Sequence, residues 1–419
     1  MANKSIVSIV KGNDIPKMID EVLSLLGGLN NLIKPNATIV IKPNAGHYYG
    51  PDTSANTNPA VVSAVIQKMK EARPKEIIVA EASAISCDTN ECLEVSGIRK
   101  AAEEAGADRI IDIKRDKDLI SIPIRDARSA MNRVLLPRFL LEADHLINLP
   151  IFKTHVSMVF SCALKNMKGV VQDKIHHQMH ETDLATAMMD LWSVVKADLT
   201  IADLIRPGEG FGPHTIIPTD FNCIVAGKDP VAVDATACRM VGLDVDKVSY
   251  FVPAHERGLG NSEEELIEIR GKTIEQVYRK LWIPYLGGFE QWPEYNICSE
   301  NACSSCLGLM AFTMEKLKAM GEYDKQAGTT LVFGRKKELP QTSGKNMVLI
   351  GDCVKKYRSQ GIFVGGCPPP EPFPMWAIVD RKSYSSPDDI KGFDLRTRMG
   401  EEAQIFHDYI LELKKASKN

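Results

Sequence analysis

Cysteine spacing near the C-terminal end of the chain suits an inorganic cluster. Cys298, Cys303 and Cys306 form a C-x4-C-x2-C run, and Cys353 and Cys367 follow further along. Close thiolates on one loop, together with a distant one, can reach separate iron atoms of an iron-sulfur cluster. Zinc sites more often use two C-x2-C pairs, and here only Cys303 and Cys306 have that spacing. The pattern therefore favours iron and sulfur, with a zinc site and unliganded thiols as the alternatives.

Two cysteines are candidates for the fourth cluster ligand. Cys367 follows a glycine pair, where the backbone can approach bulky sulfides, and the prolines after it stiffen the loop. Cys353 follows a strand-like stretch and precedes lysines that can tune a cluster without binding it. The predicted ligands are therefore Cys298, Cys303, Cys306 and Cys367, with Cys353 as the alternative fourth ligand.

The segment that carries Cys367 resembles a known cluster-binding sequence. Gly366 to Glu371 is similar to the GCPPxPE segment of the cluster-bearing subunit of respiratory complex I, and to the related segment of nickel-iron hydrogenase small subunits. In those proteins the cysteine binds a 4Fe-4S cluster, so the resemblance implies this cofactor here. The other cysteines lack ligand spacing and are predicted to be ordinary buried residues, namely Cys87, Cys92, Cys162, Cys223 and Cys238.

Polar side chains follow most of the predicted strands before residue 260. Ligands bind outside the carboxyl ends of the strands in an open α/β sheet, so we expect these side chains to form one pocket. Lysines are prominent among them, which favours a small anion. The predicted substrate-binding residues are Lys42, Asn44, Lys153, Lys165, Asn166 and Asp234, and the predicted catalytic residues are His155, His180, Glu81 and Asp203. Five of these are expected to line a single cleft: Lys42, Lys153, Lys165, Asp203 and Asp234.

Three histidines lie close together after Lys174. His176 and His180 are at positions i and i+4, which places them on one face if the stretch is helical. That spacing suits a metal ion, although the glutamate of an H-E-x-x-H sequence is missing. Proton transfer or substrate binding, and a solvated histidine surface that includes His177, are the alternatives.

The elements that must position these residues alternate between strands and helices up to about residue 260, which predicts an α/β domain with a doubly wound, mainly parallel sheet. A glycine-rich loop, 206–214, is expected after Asp203. Residues 261–419 are expected to form a second, smaller cysteine-rich α+β domain that ends in a helix. The predicted strands are 5–9, 38–41, 76–79, 110–113, 145–149, 199–202 and 222–225, and the predicted helices include 15–26, 59–71, 97–105, 182–195 and 232–241.

Charge and hydropathy argue against several classes of partner. The net charge is −3 and the basic residues are spread along the chain, so no nucleic-acid surface is indicated. No apolar run reaches the roughly 18 residues that a spanning helix needs, and no secretion signal is visible. We therefore expect a cytoplasmic protein without a membrane partner. A nucleotide cofactor is not predicted, because the chain has neither a Walker sequence nor a GxGxxG fingerprint.

Several stretches are similar to the family catalogued as domain of unknown function 362. They are 39–44, 57–62, 146–155, 163–169 and 226–234, together with His180 and Asp203. The resemblance spans most of residues 1–260 and implies a member of this family of the iron-sulfur type. The activity of the family is not generally established, and some of its members carry ferredoxin modules in place of the C-terminal domain expected here.

The cysteines and the strand-end lysines together predict an iron-sulfur enzyme of anaerobic metabolism, an oxidoreductase or a lyase. Its 4Fe-4S cluster would act on a small anionic substrate as electron donor or as Lewis acid. A ferredoxin-like protein is the expected electron donor, and the sequence is compatible with a homo-oligomer. The alternatives are an electron-transfer or cluster-carrying protein, and a binding protein with a structural cluster.

Overall fold

The computed structural model describes residues 4–85, 87–156, 158–181, 183–213, 215–283, 289–341, 346–386, 389 and 395–417. The chain divides into two units, 1–283 and 284–419. Two predicted residues lie outside the described part: Thr182 at the start of a helix, and His214 at the end of the glycine-rich stretch.

The first unit alternates strands and helices as the sequence predicts. Its strands are β1 (Ser5–Lys11), β2 (Thr38–Pro43), β3 (Glu76–Glu81), β4 (Arg109–Asp112), β5 (Leu119–Pro123), β6 (Arg133–Pro137), β7 (His145–Leu149), β8 (Ile151–His155), β9 (Val159–Ser161), β10 (Leu199–Phe211), β11 (Thr215–Pro218), β12 (Cys223–Gly227) and β13 (Ile267–Gly271). Its helices are α1 (Ile15–Leu25), α2 (Leu29–Leu32), α3 (Pro59–Lys70), α4 (Thr89–Val95), α5 (Ile98–Ala105), α6 (Arg138–Glu142), α7 (Ala163–Asn166), α8 (Asp173–Glu181), α9 (Leu184–Trp192), α10 (Pro230–Met240), α11 (Phe251–Glu256) and α12 (Ile274–Val277). Each predicted strand and helix has a counterpart here, with ends that differ by a few residues, except that β10 is much longer.

A mainly parallel sheet forms the centre of this unit, which confirms the predicted α/β class. Among the described residues its strands run in the order β13-β1-β12-β10-β7-β2-β3-β4, and β8, β9 and β11 extend it beside β10. Successive side chains of β2 pack into different hydrophobic cores. Ile39 and Ile41 belong to the core on one face of the sheet, and Val40 belongs to the core on the other face. Alternation of this kind is expected of strands with helices on both faces.

Carboxylate and amide side chains fix the starts of the helices. Asp14 caps α1 and Asn58 caps α3, each just before a proline in the first turn. A different cap holds the short helix α7, because Asp234 from α10 accepts hydrogen bonds from the amides of Ala163 at 2.6 Å and Leu164 at 3.0 Å. Asp234 is fully buried, and burial raises its pKa to about 7.

The glycine-rich stretch after Asp203 is a strand, so the predicted loop is wrong. β10 continues to Phe211 and pairs with β8 and β11, with a shift of register between Asp203 and Gly208. Glycine allows this close pairing, since a Cβ at Gly208 would lie 2.1 Å from Cγ2 of Ile216. Sequence composition suggested a loop because glycine and proline are usually rare inside strands.

The second unit has a sheet of four parallel strands and three described helices. They are β14 (Asn296–Cys298), β15 (Thr330–Phe333), β16 (Met347–Ile350) and β17 (Ile362–Val364), with α13 (Ser304–Ala319), α14 (Phe373–Asp380) and α15 (Leu395–Ala416). Residues 261–283 lie with the first unit, although the boundary was predicted near 260, because β13 pairs in parallel with β1. None of the described helices has the length and hydropathy to cross a membrane.

Replacing Asp234 by alanine should destabilise the first unit strongly. Two buried amides at the start of α7 would lose their acceptor, at an expected cost of about 3 kcal/mol in the free energy of unfolding. Urea denaturation followed by circular dichroism measures this value. Asp14→Ala is the matched control, since its cap is exposed and should contribute about 1 kcal/mol. Equal losses in the two variants would contradict the anchoring role of Asp234.

Candidate anion-binding site

A buried ion pair joins the ends of the neighbouring strands β2 and β3. Lys42 Nζ lies 2.8 Å from the Glu81 carboxylate, and the two side chains are only 1% and 2% exposed. Lys42 also donates to the carbonyl of Pro43 at 2.9 Å and to Asn166 Oδ1 at 3.1 Å. Burial lowers the pKa of Lys42 and raises that of Glu81, while each charge opposes the shift of the other. All three Lys42 donors are thus used within the protein.

The Glu81 carboxylate is equally occupied. Besides Lys42 it accepts hydrogen bonds from the amides of Ala45 at 3.0 Å and Ala82 at 2.9 Å. The backbone of Gly169 passes so close that a Cβ there would lie 2.0 Å from Glu81 Oε1 and 2.5 Å from Lys42 Nζ. Glu81 therefore positions its neighbours, and this geometry gives little support to the predicted catalytic role.

Lys153 reaches the same place from β8. Its Nζ donates to Asn44 Oδ1 at 2.8 Å and to the carbonyl of Ala55, and the residue is 3% exposed. Within the described part of the chain, these two acceptors engage two of the three N–H groups of Lys153 and no acceptor is found for the third. Burial, together with the charges of Lys165 and Lys42, lowers the pKa of Lys153 to about 7, while Glu81 opposes the shift.

Lys165 lies on α7, next to the Asn166 that contacts Lys42. No acceptor within hydrogen-bonding distance of its Nζ is found among the described residues, and the side chain is partly exposed. Burial and the nearby Lys42 charge lower its pKa to about 8. The helix beneath it is held by Asp234, and also by the indole of Trp192, which donates to the carbonyl of Leu164 at 2.9 Å.

Lys168 and two histidines of α8 complete the group of basic residues. Lys168 Nζ lies 2.6 Å from His180 Nε2, and His176 Nε2 donates to the Lys168 carbonyl at 2.5 Å. Burial, followed by the Lys168 charge, lowers the pKa of both imidazoles well below the usual value. The predicted i, i+4 pair is thus on one helix face. Both neutral rings face Lys168, and we call Lys42, Lys153, Lys165 and Lys168 the basic cluster.

The two aspartates predicted to share the cleft are anchors of its walls. Asp203 accepts from the amides of Asn58 at 2.8 Å and Ile205 at 2.9 Å, and Asp234 holds α7. Both side chains are fully buried, and burial raises the pKa of Asp203 to about 6. Since backbone amides use these carboxylates, the geometry favours anchoring over the predicted catalytic role of Asp203 and substrate contact by Asp234.

Asn44 and Asn166, which are predicted to bind substrate, connect Lys153 and Lys42 through hydrogen bonds. Asn44 Nδ2 donates to Asn166 Oδ1 at 3.0 Å, and Asn166 Nδ2 donates to Asn148 Oδ1 at 2.8 Å. His155 ends β8 and lies on the strand face of Lys153, two residues earlier. Sequence reasoning missed Asn148, although it falls in a stretch that the sequence singled out, and it placed Gly169 in the loop that crosses the pocket.

Four cysteines of the second unit lie at the carboxyl ends of its strands. Cys303 precedes α13 and Cys306 lies in the first turn, where its thiol donates to Cys303 and lowers the Cys303 pKa to about 6. Cys306 is also close to the thiols of Cys353 and Cys367, which with Cys303 and burial raise its pKa. Hydrogen bonds between residues 351–352 and 364–366 tie the Cys353 loop to the Cys367 loop.

Cys298 takes a different position. It ends β14 and packs with Val332 and Leu349, whereas Cys306 and Cys303 pack with Leu331 on the other sheet face. As the thiols stand, the described residues contain no group of three or more histidine, cysteine, aspartate or glutamate side chains arranged to hold a metal ion.

A separate cavity of about 610 Å³ lies at the opposite edge of the large sheet, where β1 begins and β12 ends. Its one lining carboxylate, Asp229, already accepts from Ser5 Oγ and from the amides of Val231, Ala232 and Asn261. None of the residues of the basic cluster lines this cavity.

The basic cluster lies in a stretch of the chain that matches a catalogued family model. Residues 39–239 match the family model described as Domain of unknown function (DUF362). All of the basic cluster, Glu81 and His180 fall inside this DUF362 segment, whereas the cysteines of the second unit lie beyond it.

A relative and two solved structures are also similar. The thylakoid-associated protein sll1697 of Synechocystis sp. is 25% identical over 256 residues, which cover 58% of this chain and 75% of the relative. The lactate racemase apoprotein from Thermoanaerobacterium thermosaccharolyticum has a TM-score of 0.35 and 11% identity, over 84% of this chain and 70% of that one. A Thermotoga maritima protein has a TM-score of 0.34 and 14% identity, over 77% and 72% of the two chains.

Adding one methyl group at Gly169 should displace the buried ion pair. In Gly169→Ala the new Cβ would overlap Glu81 and Lys42, and a disturbed buried pair is expected to cost about 3 kcal/mol of unfolding free energy. Urea denaturation measures the loss. Gly46→Ala is the matched control, because its Cβ would come no closer than 3.8 Å to Asn44. A Gly169→Ala variant as stable as the control would show that the pair does not require this glycine.

Proposed function

We propose that this chain is an enzyme that binds a small anion, such as a carboxylate or a phosphate, between Lys153 and Lys165 of its DUF362 segment. The observation that carries the proposal is the unmet positive charge of these two lysines. Among the described residues, Lys165 has no hydrogen-bond acceptor, and one of the three N–H groups of Lys153 has none either. An anion would supply both the missing acceptors and the missing charge.

Charge balance supports an anion over a neutral ligand. The charge of Glu81 favours the protonated forms of Lys42 and Lys153. Its carboxylate already accepts hydrogen bonds from two amides and from Lys42. Burying ammonium groups without partners is costly, which is why their pKa values fall toward neutrality. A bound anion would reverse that cost, so the site gains stability when it is filled.

Lys168 and His180 are the groups best placed to move a proton. The short contact between Lys168 Nζ and His180 Nε2 lets the ammonium donate to a neutral imidazole. Burial lowers the pKa of both groups, which brings Lys168 closer to neutral pH. His155, on the same strand face as Lys153, is a second candidate for contact with the anion.

We further propose that the second unit holds a 4Fe-4S cluster on Cys303, Cys306, Cys353 and Cys367. The positions that support this are the start of α13 and the two bridged loops after β16 and β17, which bring the four thiols near one another. A cluster would replace the hydrogen bond between Cys306 and Cys303. It would supply an electron or a Lewis-acidic iron, while the lysines and histidines bind the anion and transfer the proton.

An electron carrier without a substrate is the rival class. It explains the cysteines, but it does not explain why Lys153 is buried with only two acceptors among the described residues. Anion binding at Lys153 and Lys165 therefore separates the two proposals.

Sulfate should bind the wild-type protein more weakly as pH rises. Lys153 and Lys165 have pKa values of about 7 and 8, so both are charged below pH 7 and both lose protons through this window. Isothermal titration calorimetry should show an affinity at least about tenfold lower near pH 9 than near pH 6. Binding near neutrality should also take up protons, which buffers of different ionisation enthalpy reveal.

The variant Lys153→Met with Lys165→Met should lose this binding and its pH dependence, whereas Lys75→Met, at an exposed lysine, should retain both. Unchanged sulfate affinity in the double variant would place the anion elsewhere and remove the main support for the proposed enzyme.

Iron content should depend on Cys353 more than on Cys298. After anaerobic purification, Cys353→Ser should lose most of the iron and acid-labile sulfide per chain, because it removes one of the four proposed ligands. Cys298→Ser is the matched control and should keep both, since Cys298 packs on the other face of the sheet. Loss of iron in Cys298→Ser together with a full complement in Cys353→Ser would restore the ligand set predicted from sequence.

A further inference from the structure

Two cysteines beside the basic cluster form a pair that their spacing did not reveal. Cys87 lies in the loop after β3, and Cys92 lies in α4, which Asp88 caps through the amide of Glu91 at 3.0 Å. Cys92 belongs to a buried core cluster against which Cys87 packs, and the interaction between the two thiols lowers the pKa of Cys87 and raises that of Cys92. Cys92 is fully buried, whereas Cys87 is half-buried, so an approaching molecule would meet Cys87 first.

The surroundings of Cys87 stabilise a thiolate. The Cys92 thiol lowers the pKa of Cys87 most and the charge of Lys114 lowers it further, while burial, Asp173 and Glu91 oppose them. Lys114 is held in place by the carbonyls of Ala84 at 2.8 Å and Cys87 at 3.0 Å. His47 Nδ1 lies 3.8 Å from Cys87 Sγ. A thiol that is partly exposed and faces a lysine and a histidine has the setting of a reactive cysteine.

Another close pair in the same unit has the opposite setting. Cys162 and Cys238 are fully buried, and burial, followed by the carboxylate of Asp234, raises the pKa of both well above the usual value. These thiols should be inert in the folded protein. The chain therefore contains its own internal control for thiol reactivity.

The reactive pair belongs to the wall of the anion site. Ser83, which contacts Cys92, donates its hydroxyl hydrogen to the carbonyl of Ala45 at 2.5 Å. The amide of Ala84 donates to the carbonyl of Gly46 at 3.0 Å. The loops after β2 and β3 are thus joined, and the same two loops carry Asn44, His47 and Glu81.

We propose that Cys87 and Cys92 are a redox-active dithiol that exchanges with small disulfides and closes an internal disulfide beside the basic cluster. In the first step the Cys87 thiolate attacks the external disulfide and releases one thiolate, which leaves a mixed disulfide on Cys87. Cys92 then loses its proton and displaces the second thiolate, forming the Cys87–Cys92 bond. The protein gives up two electrons and two protons, and the external disulfide takes them up as two thiols.

The test uses the reduced full-length wild type, incubated without oxygen in buffers of reduced and oxidised glutathione. Free thiols are then blocked with N-ethylmaleimide and the cysteines are mapped by peptide mass spectrometry. We expect a Cys87–Cys92 linkage at glutathione ratios that leave Cys162 and Cys238 fully alkylatable after unfolding. Mapping by peptide separates this linkage from any oxidation of the cysteines in the second unit.

Single variants separate the two steps. Cys92→Ser should accumulate a glutathione adduct on Cys87, because the resolving thiol is absent, whereas Cys87→Ser should leave the buried Cys92 unmodified. The result that overturns the proposal is a wild type in which Cys87 and Cys92 remain reduced, or become linked only under conditions that also oxidise Cys162 and Cys238. The wild-type result stands alone if a variant folds poorly.

Discussion

The buried pair of Lys42 and Glu81 is the interaction on which the first unit's site depends. Taking two charges out of water is expensive, and their attraction offsets the cost only when the remaining donors and acceptors are also satisfied. Here they are, through Pro43, Asn166, and the amides of Ala45 and Ala82. Pro43 and Ala45 lie at the end of β2, Ala82 follows β3 and Asn166 is on α7, so satisfying the pair fixes the ends of β2 and β3 together with α7.

The two lysines assigned to the anion take their positions from this arrangement. Asn44 accepts from Lys153 and donates to Asn166, which also accepts from Lys42. Lys165 precedes Asn166 on α7 and is placed by the same network. Lys42 and Lys153 are therefore held by hydrogen bonds within the protein, and a site preorganised in this way would lose little entropy on binding a ligand.

Sequence predicted the strands and the basic residues well, because both depend on local pattern. Lys42 and Lys153 were identified since they follow apolar runs, and parallel strands bring their carboxyl ends to one edge. The pattern could not tell whether a carboxylate faces a ligand or a backbone amide, which is why Asp203 and Asp234 were assigned to the cleft. The sequence placed Gly169 at the pocket, but it could not show that this glycine leaves the space that the side chains of Lys42 and Glu81 occupy.

The cysteines show the same limit. Spacing grouped Cys298 with Cys303 and Cys306, yet side chains alternate between the faces of a strand, and Cys298 falls on the far side from Cys306. The ligand set predicted from sequence contains Cys298, whereas the set favoured by the positions of the thiols contains Cys353. The alternation of side chains along β14 accounts for this difference. Contacts made across strands β16 and β17, which no local pattern encodes, bring Cys353 near Cys306 instead.

The bond from the Trp192 indole to the carbonyl of Leu164 has a practical consequence. Trp192 is 2% exposed, and its acceptor immediately precedes Lys165 in the chain. An indole whose N–H is bound to a carbonyl has an emission that changes with the strength of that bond and with nearby charge. A change in the position of α7 would alter this bond and with it the emission of Trp192, one of the four tryptophans of the chain.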